Sequence, residues 1–241
     1  MNEISPRPLI LTGKISKLGL TNRLSAIQKS PTTGPWKITH LGIEGDEQAN
    51  KKHHGGVEKA IHHYPNDHYK YWQKTIGDHA LLDQPGAFGE NISTIGWTEE
   101  TIFIGDIIAL GPVLLQVSQG RQPCLNLNLR FNIKEMSSFV QSSGRMGWYY
   151  RVIKPGIVNS EDSMQILERR HPGWPLSRLN RILYLDTLNR DALQEMSELQ
   201  ELAQSWRNLA RQRLKKGKVE GWKRRLFGLS LIHISEPTRP L

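Results

Sequence analysis

The hydrophobic period of the chain changes once, at His171-Pro172-Gly173, from two to 3.6. Upstream, short apolar runs (Leu9–Leu11, Ile102–Ile104, Ile107–Leu110, Val113–Val117) are broken by Gly and Pro, the pattern of short strands. Gly111-Pro112 predicts a hairpin between the last two runs, and Trp148 to Ile153, stopped by Pro155-Gly156, predicts another strand. Two helices are predicted inside this region. One starts near Pro65 and puts Tyr69, Trp72 and Ile76 on one face; the other is capped by Asn132, with Ile133, Met136 and Val140 as its stripe. Downstream, Leu176, Leu179, Ile182 and Leu183 follow Pro175, Leu193, Met196 and Leu199 follow an Asn189 cap, and Leu202, Trp206, Leu209 and Ala210 make a third stripe. Helices this short do not persist alone, so they must pack on one another or on the sheet.

The expected class is therefore α+β and mostly β, with residues 1–165 as a sheet-rich domain and 166–228 as a small three-helix domain ending in a basic segment. Residues 229–241 (LSLIHISEPTRPL) fit neither period and follow what already reads as an ending, so they are taken as a non-native tail.

Apolar residues make up 37% of the chain and seven are Trp, enough for a folded core. No charged start precedes an apolar run of signal-peptide length, and no apolar stretch approaches about 18 residues, so a cytoplasmic protein with no membrane partner is expected. The single cysteine, Cys124, excludes an internal disulfide and an iron–sulfur cluster held by this chain's thiolates alone. Net charge is +9, yet Arg207 to Arg225 holds nine Lys or Arg against one Glu, so the remainder is nearly balanced. Such a segment reads first as a solvated helix face and a loose terminus, and second as a surface for phosphates or acidic partners; a nucleic-acid-binding module is the third and least favoured function class, and nucleic acid is not expected as a partner.

Cys124 ends the segment Ser118-Gln119-Gly120-Arg121-Gln122-Pro123-Cys124, directly after a strand. Arg121 favours the thiolate, a nucleophile and a soft metal ligand, although a buried, inert thiol fits the residue type as well. Gly42-Ile43-Glu44-Gly45-Asp46 and His53-His54-Gly55-Gly56 pack glycines, acids and imidazoles together, and glycines let backbone amides approach an anion. Neither the phosphate-loop nor the dinucleotide fingerprint is present. His53, His54, His62, His63 and His68 invite a zinc reading with Asp46 or Asp67, but match no zinc pattern, and on a strand from Ile61 to Tyr64 adjacent histidines face opposite ways. Phe88-Gly89-Glu90-Asn91 precedes a short strand, and Ser25 and Lys29 set a hydroxyl and an ammonium four residues apart, suited to a phosphate.

In this order and spacing, Ser25/Lys29, Gly45-Asp46, His53-His54-Gly55-Gly56 with Lys59-Ala60, Phe88-Gly89-Glu90-Asn91, Gly105-Asp106 and Arg121-Gln122-Pro123-Cys124 resemble the MOSC family, named for the C-terminal domain of molybdenum cofactor sulfurases. The resemblance spans roughly residues 20–165, and the helical remainder resembles the three-helix domain of YiiM-type members. Gly120 stands where relatives often have Pro before the Arg.

The resemblance implies a distorted barrel-like fold with a basic pocket for the phosphate-bearing pterin of the molybdenum cofactor (molybdopterin). Cys124 would ligate molybdenum, and Ser25, Lys29, Asp46, His53, Gly55, Gly56, Asn91, Arg121 and Gln122 would line or support the pocket. His54 would be a catalytic proton donor or a structural residue. It further implies reduction of N-hydroxylated compounds such as 6-N-hydroxylaminopurine, detoxifying base analogues, with electrons from a separate reductase and with a homodimer left open. The alternative is a sulfur carrier using a Cys124 persulfide, in keeping with the family's association with pyridoxal-phosphate desulfurases.

Overall fold

The structure is a computed structural model that describes residues 5–49 and 55–228. The strands, in chain order, are β1 (Leu9–Thr12), β2 (Ser16–Lys17), β3 (Leu24–Ser25), β4 (Ser30–Pro31), β5 (Trp36–Thr39), β6 (Gly42–Ile43), β7 (Ile61–His63), β8 (Ile92–Ser93), β9 (Ile107–Leu110), β10 (Val113–Gly120), β11 (Trp148–Lys154), β12 (Gly156–Val158) and β13 (Met164–Glu168). Eight of them form one curled, half-barrel sheet in the order β13-β9-β10-β11-β7-β8-β1-β4, flanked by β12-β5-β6 and the β2-β3 hairpin. Pairing is antiparallel except between β7 and β8. Closely spaced antiparallel strands need only tight turns, which is why the expected β9-β10 hairpin forms with Val113 opposite Leu110 and Gly111 at φ 53°.

The helices are α1 (Tyr69–Ile76), α2 (Leu125–Phe131), α3 (Met136–Ser143), α4 (Leu176–Tyr184), α5 (Arg190–Glu198), α6 (Gln204–Lys216) and α7 (Lys223–Phe227). Asn189 caps α5 as expected, its side chain accepting from the Ala192 N–H at 3.0 Å. Three expectations are corrected. Ile102–Ile104 forms no strand; Phe103 makes only an isolated bridge to Pro175. Asn132 does not cap a helix start but closes α2 in the left-handed region at φ 52°, a conformation Asn tolerates, and α3 begins after Glu135. The third is the basic segment, expected to be a solvated helix face and a loose terminus: its end folds into α7, whose Leu226 is buried.

The helical region has no core of its own. Leu176, Leu179, Leu193, Met196 and Trp206 share one buried cluster with Leu115, Val117, Trp148 and Tyr150 of the sheet. The 3.6-period stripes therefore face the sheet as well as each other, and β10 is buried from both sides. A second cluster, around Trp72, Phe88, Leu127 and Met136, packs α1 against α2 and α3. Among the described residues no helix is long and apolar enough to cross a membrane.

Candidate active site

β10 runs out of the sheet at Gly120, and the next four residues turn to start α2. The Arg121 N–H donates to Gly147 O at 3.0 Å and the Leu127 N–H to Cys124 O at 2.9 Å, so the loop is fixed at both ends. Cys124 is half-buried, in extended conformation, at the first cap position of α2.

Its side chain borders a cavity of about 540 Å³ whose walls include Ser25, Lys29, Asp46, Lys59, His62, Asn91, Arg121, Asn126 and Tyr149. The sequence thus brings Ser25, Lys29, Asp46, Asn91, Arg121 and Cys124 to one place from β3, the β1-to-β8 loops and the end of β10. Gly55, Gly56 and Gln122 are not on the wall. Gly56 leads at φ 88° into a short turn before β7, and the Gln122 side chain meets the Tyr184 hydroxyl behind the loop. His53 and His54 lie outside the described residues.

Among the wall residues that sequence reasoning did not assign to the pocket are His62, Asn126 and Tyr149. Adjacent histidines on β7 do face opposite ways: His62 lines the cavity, while His63 is sealed between the Tyr150 hydroxyl and the Thr94 hydroxyl, each at 2.9 Å. Alternation says that they differ, not which one faces in. Asn126, two residues past Cys124, and Tyr149 on β11 carry no local signal at all.

Asp46 organises one side. It takes Lys29 Nζ, the Gly13 N–H at 2.8 Å and Asn91 Nδ2 at 2.8 Å, while Asn91 Oδ1 accepts the His62 N–H at 3.1 Å. Lys29 is buried, and that burial lowers its pKa against the opposing pull of Asp46. Lys59 is lowered by burial too, with Cys124 within electrostatic reach.

The other side is under-satisfied. Among the described residues, Arg121 Nη1, His62 Nε2 and Asn126 Oδ1 are buried without a hydrogen-bond partner. An unpaired buried guanidinium nitrogen costs free energy unless an anion meets it. Burial, reinforced by the Arg121 charge, holds the His62 imidazole well below its ordinary pKa, so it is neutral. Arg121 and Lys59, the His62 imidazole, the Asn126 amide and the Cys124 thiol around one cavity suit an anionic group that a soft sulfur ligand can hold. No group of three or more His, Cys, Asp or Glu among the described residues is arranged to hold a bare metal ion.

The MOSC domain family matches residues 50–165, and the YiiM-like 3-alpha helix domain matches residues 174–217. The chain is 38% identical over 219 residues to Protein YiiM of Escherichia coli (strain K12), covering 91% of this chain and 97% of that protein. The crystal structure of YiiM from Escherichia coli superposes with a TM-score of 0.80 at 31% identity, covering 94% of this chain and all of that one. A protein named Reductase from Gibberella moniliformis is 35% identical over 217 residues, 88% of this chain but 38% of that longer protein. Fold and site together define a MOSC domain backed by a three-helix domain. The chain belongs to the YiiM-type branch of the MOSC family.

Proposed function

We propose that the chain is a molybdenum-cofactor-dependent reductase of N-hydroxylated compounds, with base analogues such as 6-N-hydroxylaminopurine as substrates. The chain's only cysteine borders a cavity where Arg121 Nη1 and His62 Nε2 are buried and unpartnered, and this observation carries the proposal. The family's association with molybdenum cofactor and the reductase-named relative support it.

Cys124 would hold the molybdenum, Arg121 would neutralise the anionic end of the cofactor, and Ser25 and Lys29 would complete the wall. Bound there, the cofactor would supply two-electron reduction of the N–O bond. Overall, R–NHOH takes two electrons and two protons to give R–NH2 and water. The residues of this chain bind, orient and exclude solvent. His62 lines the cavity wall, where its imidazole would help shape the substrate side, and the Asp46 network holds Lys29 and Asn91 in fixed positions. One thiol gives no internal route for electrons, so a separate reductase would deliver them.

Protein from cells able and unable to make the cofactor should be compared for conversion of 6-N-hydroxylaminopurine to adenine with a chemical reductant. Activity only in the first preparation is expected. Equal activity in both would overturn the proposal, and no conversion by either would overturn it in favour of the persulfide carrier.

A further inference from the structure

We infer that Arg225 is a positioning residue for the Cys124 loop, and that α7 is the strap that carries it. Proline has no N–H, so the loop at Pro123 can be held only through its carbonyl. Arg225 Nη1 donates to that carbonyl, from 102 residues further along the chain. The second nitrogen, Nη2, donates to Gln141 Oε1 of α3 at 2.6 Å, and the guanidinium sits 5.7 Å from the centre of the Tyr184 ring. A planar fork with two acceptors in fixed directions sets a position where a single ammonium could not.

The helix itself is tied down on the same side. Leu226 is buried, and its carbonyl accepts Asn128 Nδ2 at 2.9 Å and Ser137 Oγ at 3.0 Å. Those two donors belong to α2 and α3, and α2 is the helix that starts at Cys124. The loop is thus pinned at Arg121 from the residue before β11, at Cys124 by the first turn of α2, and at Pro123 by α7. α7 lies beyond the matched three-helix region, which ends at residue 217.

This rests on the proposed role of Cys124, but its test does not need the cofactor. The full chain from cells unable to make the cofactor is alkylated with iodoacetamide at one fixed pH, and the single cysteine makes the label unambiguous. Arg225→Gln should speed Cys124 alkylation about tenfold, the factor that losing one charged hydrogen bond gives to a local opening. Arg225→Lys, which keeps a donor for Pro123, should fall between. Lys223→Gln removes an equal but exposed charge on the same helix and should react at the parental rate. If Arg225→Gln lowers the melting temperature yet the folded protein is alkylated at the parental rate, Arg225 is structural only and the inference fails. Should that variant not fold, Gln141→Leu removes the other end of the fork. A smaller acceleration there supports the strap, and a parental rate overturns it.

Discussion

Lys29 Nζ lies 2.5 Å from each carboxylate oxygen of Asp46, and the two side chains are only 7% and 4% exposed. The sequence offered Lys29 as an ammonium suited to a phosphate; here it is half of a buried pair with Asp46. Removing one partner strands the other charge, which costs on the order of 3 kcal/mol, far more than the ~0.5 kcal/mol of a surface change. Urea unfolding of Lys29→Met should show a loss of that order. A loss near zero would mean that the pair is solvated.

Arg121 should behave in the opposite way. Its buried Nη1 has no partner among the described residues, so the fold itself bears the cost of that buried charge unless an anion meets it. Arg121→Met in cofactor-free protein should leave stability unchanged or raise it by about 1 kcal/mol, while molybdenum content falls in cofactor-competent cells. A large destabilisation with full metal content would assign Arg121 to the scaffold.

Burial pulls the His63 imidazole down to a pKa of about 3, against about 6.5 in an unfolded chain. Between those values the unfolded state binds the extra proton. Stability is therefore complete above about pH 6.5 and falls as the pH drops toward 3. From pH 6.5 to 5 this one group should remove on the order of 2 kcal/mol, and neutral His62 adds in the same direction. Denaturant midpoints at the two pH values, with His63→Gln as the comparison, check it. An unchanged slope in His63→Gln would contradict the assignment.

Gly120 stands where the sequence resemblance led one to expect proline, and the helical region explains why a side chain is unwelcome. A Cβ there would lie 3.1 Å from Asn180 Oδ1 and 3.3 Å from the Trp206 ring. Gly120→Ala should cost roughly 1–3 kcal/mol by overpacking, measured by thermal unfolding. A neutral or stabilising result would mean that α4 and α6 do not press on the end of β10 in solution.

Periodicity made the elements legible because each buries one face. The β9-β10 hairpin, the Asn189 cap and the three stripes after Pro175 were readable for that reason. α2 and α7 were not. α2 has Asn126, Asn128 and Arg130 interleaved with its apolar residues, and two of those polar side chains are buried because they hydrogen-bond to distant partners, Ser25 and Leu226. α7 is too short to show a period, with three basic residues before Leu226 and Phe227, and only tertiary contact shows that Arg225 faces inward. The site divided in the same way. Ser25, Lys29, Asp46, Asn91 and Arg121 carry motif signals and border the cavity with Cys124, Gln122 and the Gly55-Gly56 turn carry them and do not, and His62, Asn126 and Tyr149 reach the cavity through strand and helix geometry that no local pattern encodes.

The most direct measurement is the molybdenum content of protein purified from cofactor-competent cells, beside Cys124→Ser. Near-stoichiometric molybdenum in the parent that is lost in the variant, with both proteins equally folded, is the predicted result. Molybdenum retained by Cys124→Ser, or absent from the parent, would contradict the claim that this thiol holds the cofactor.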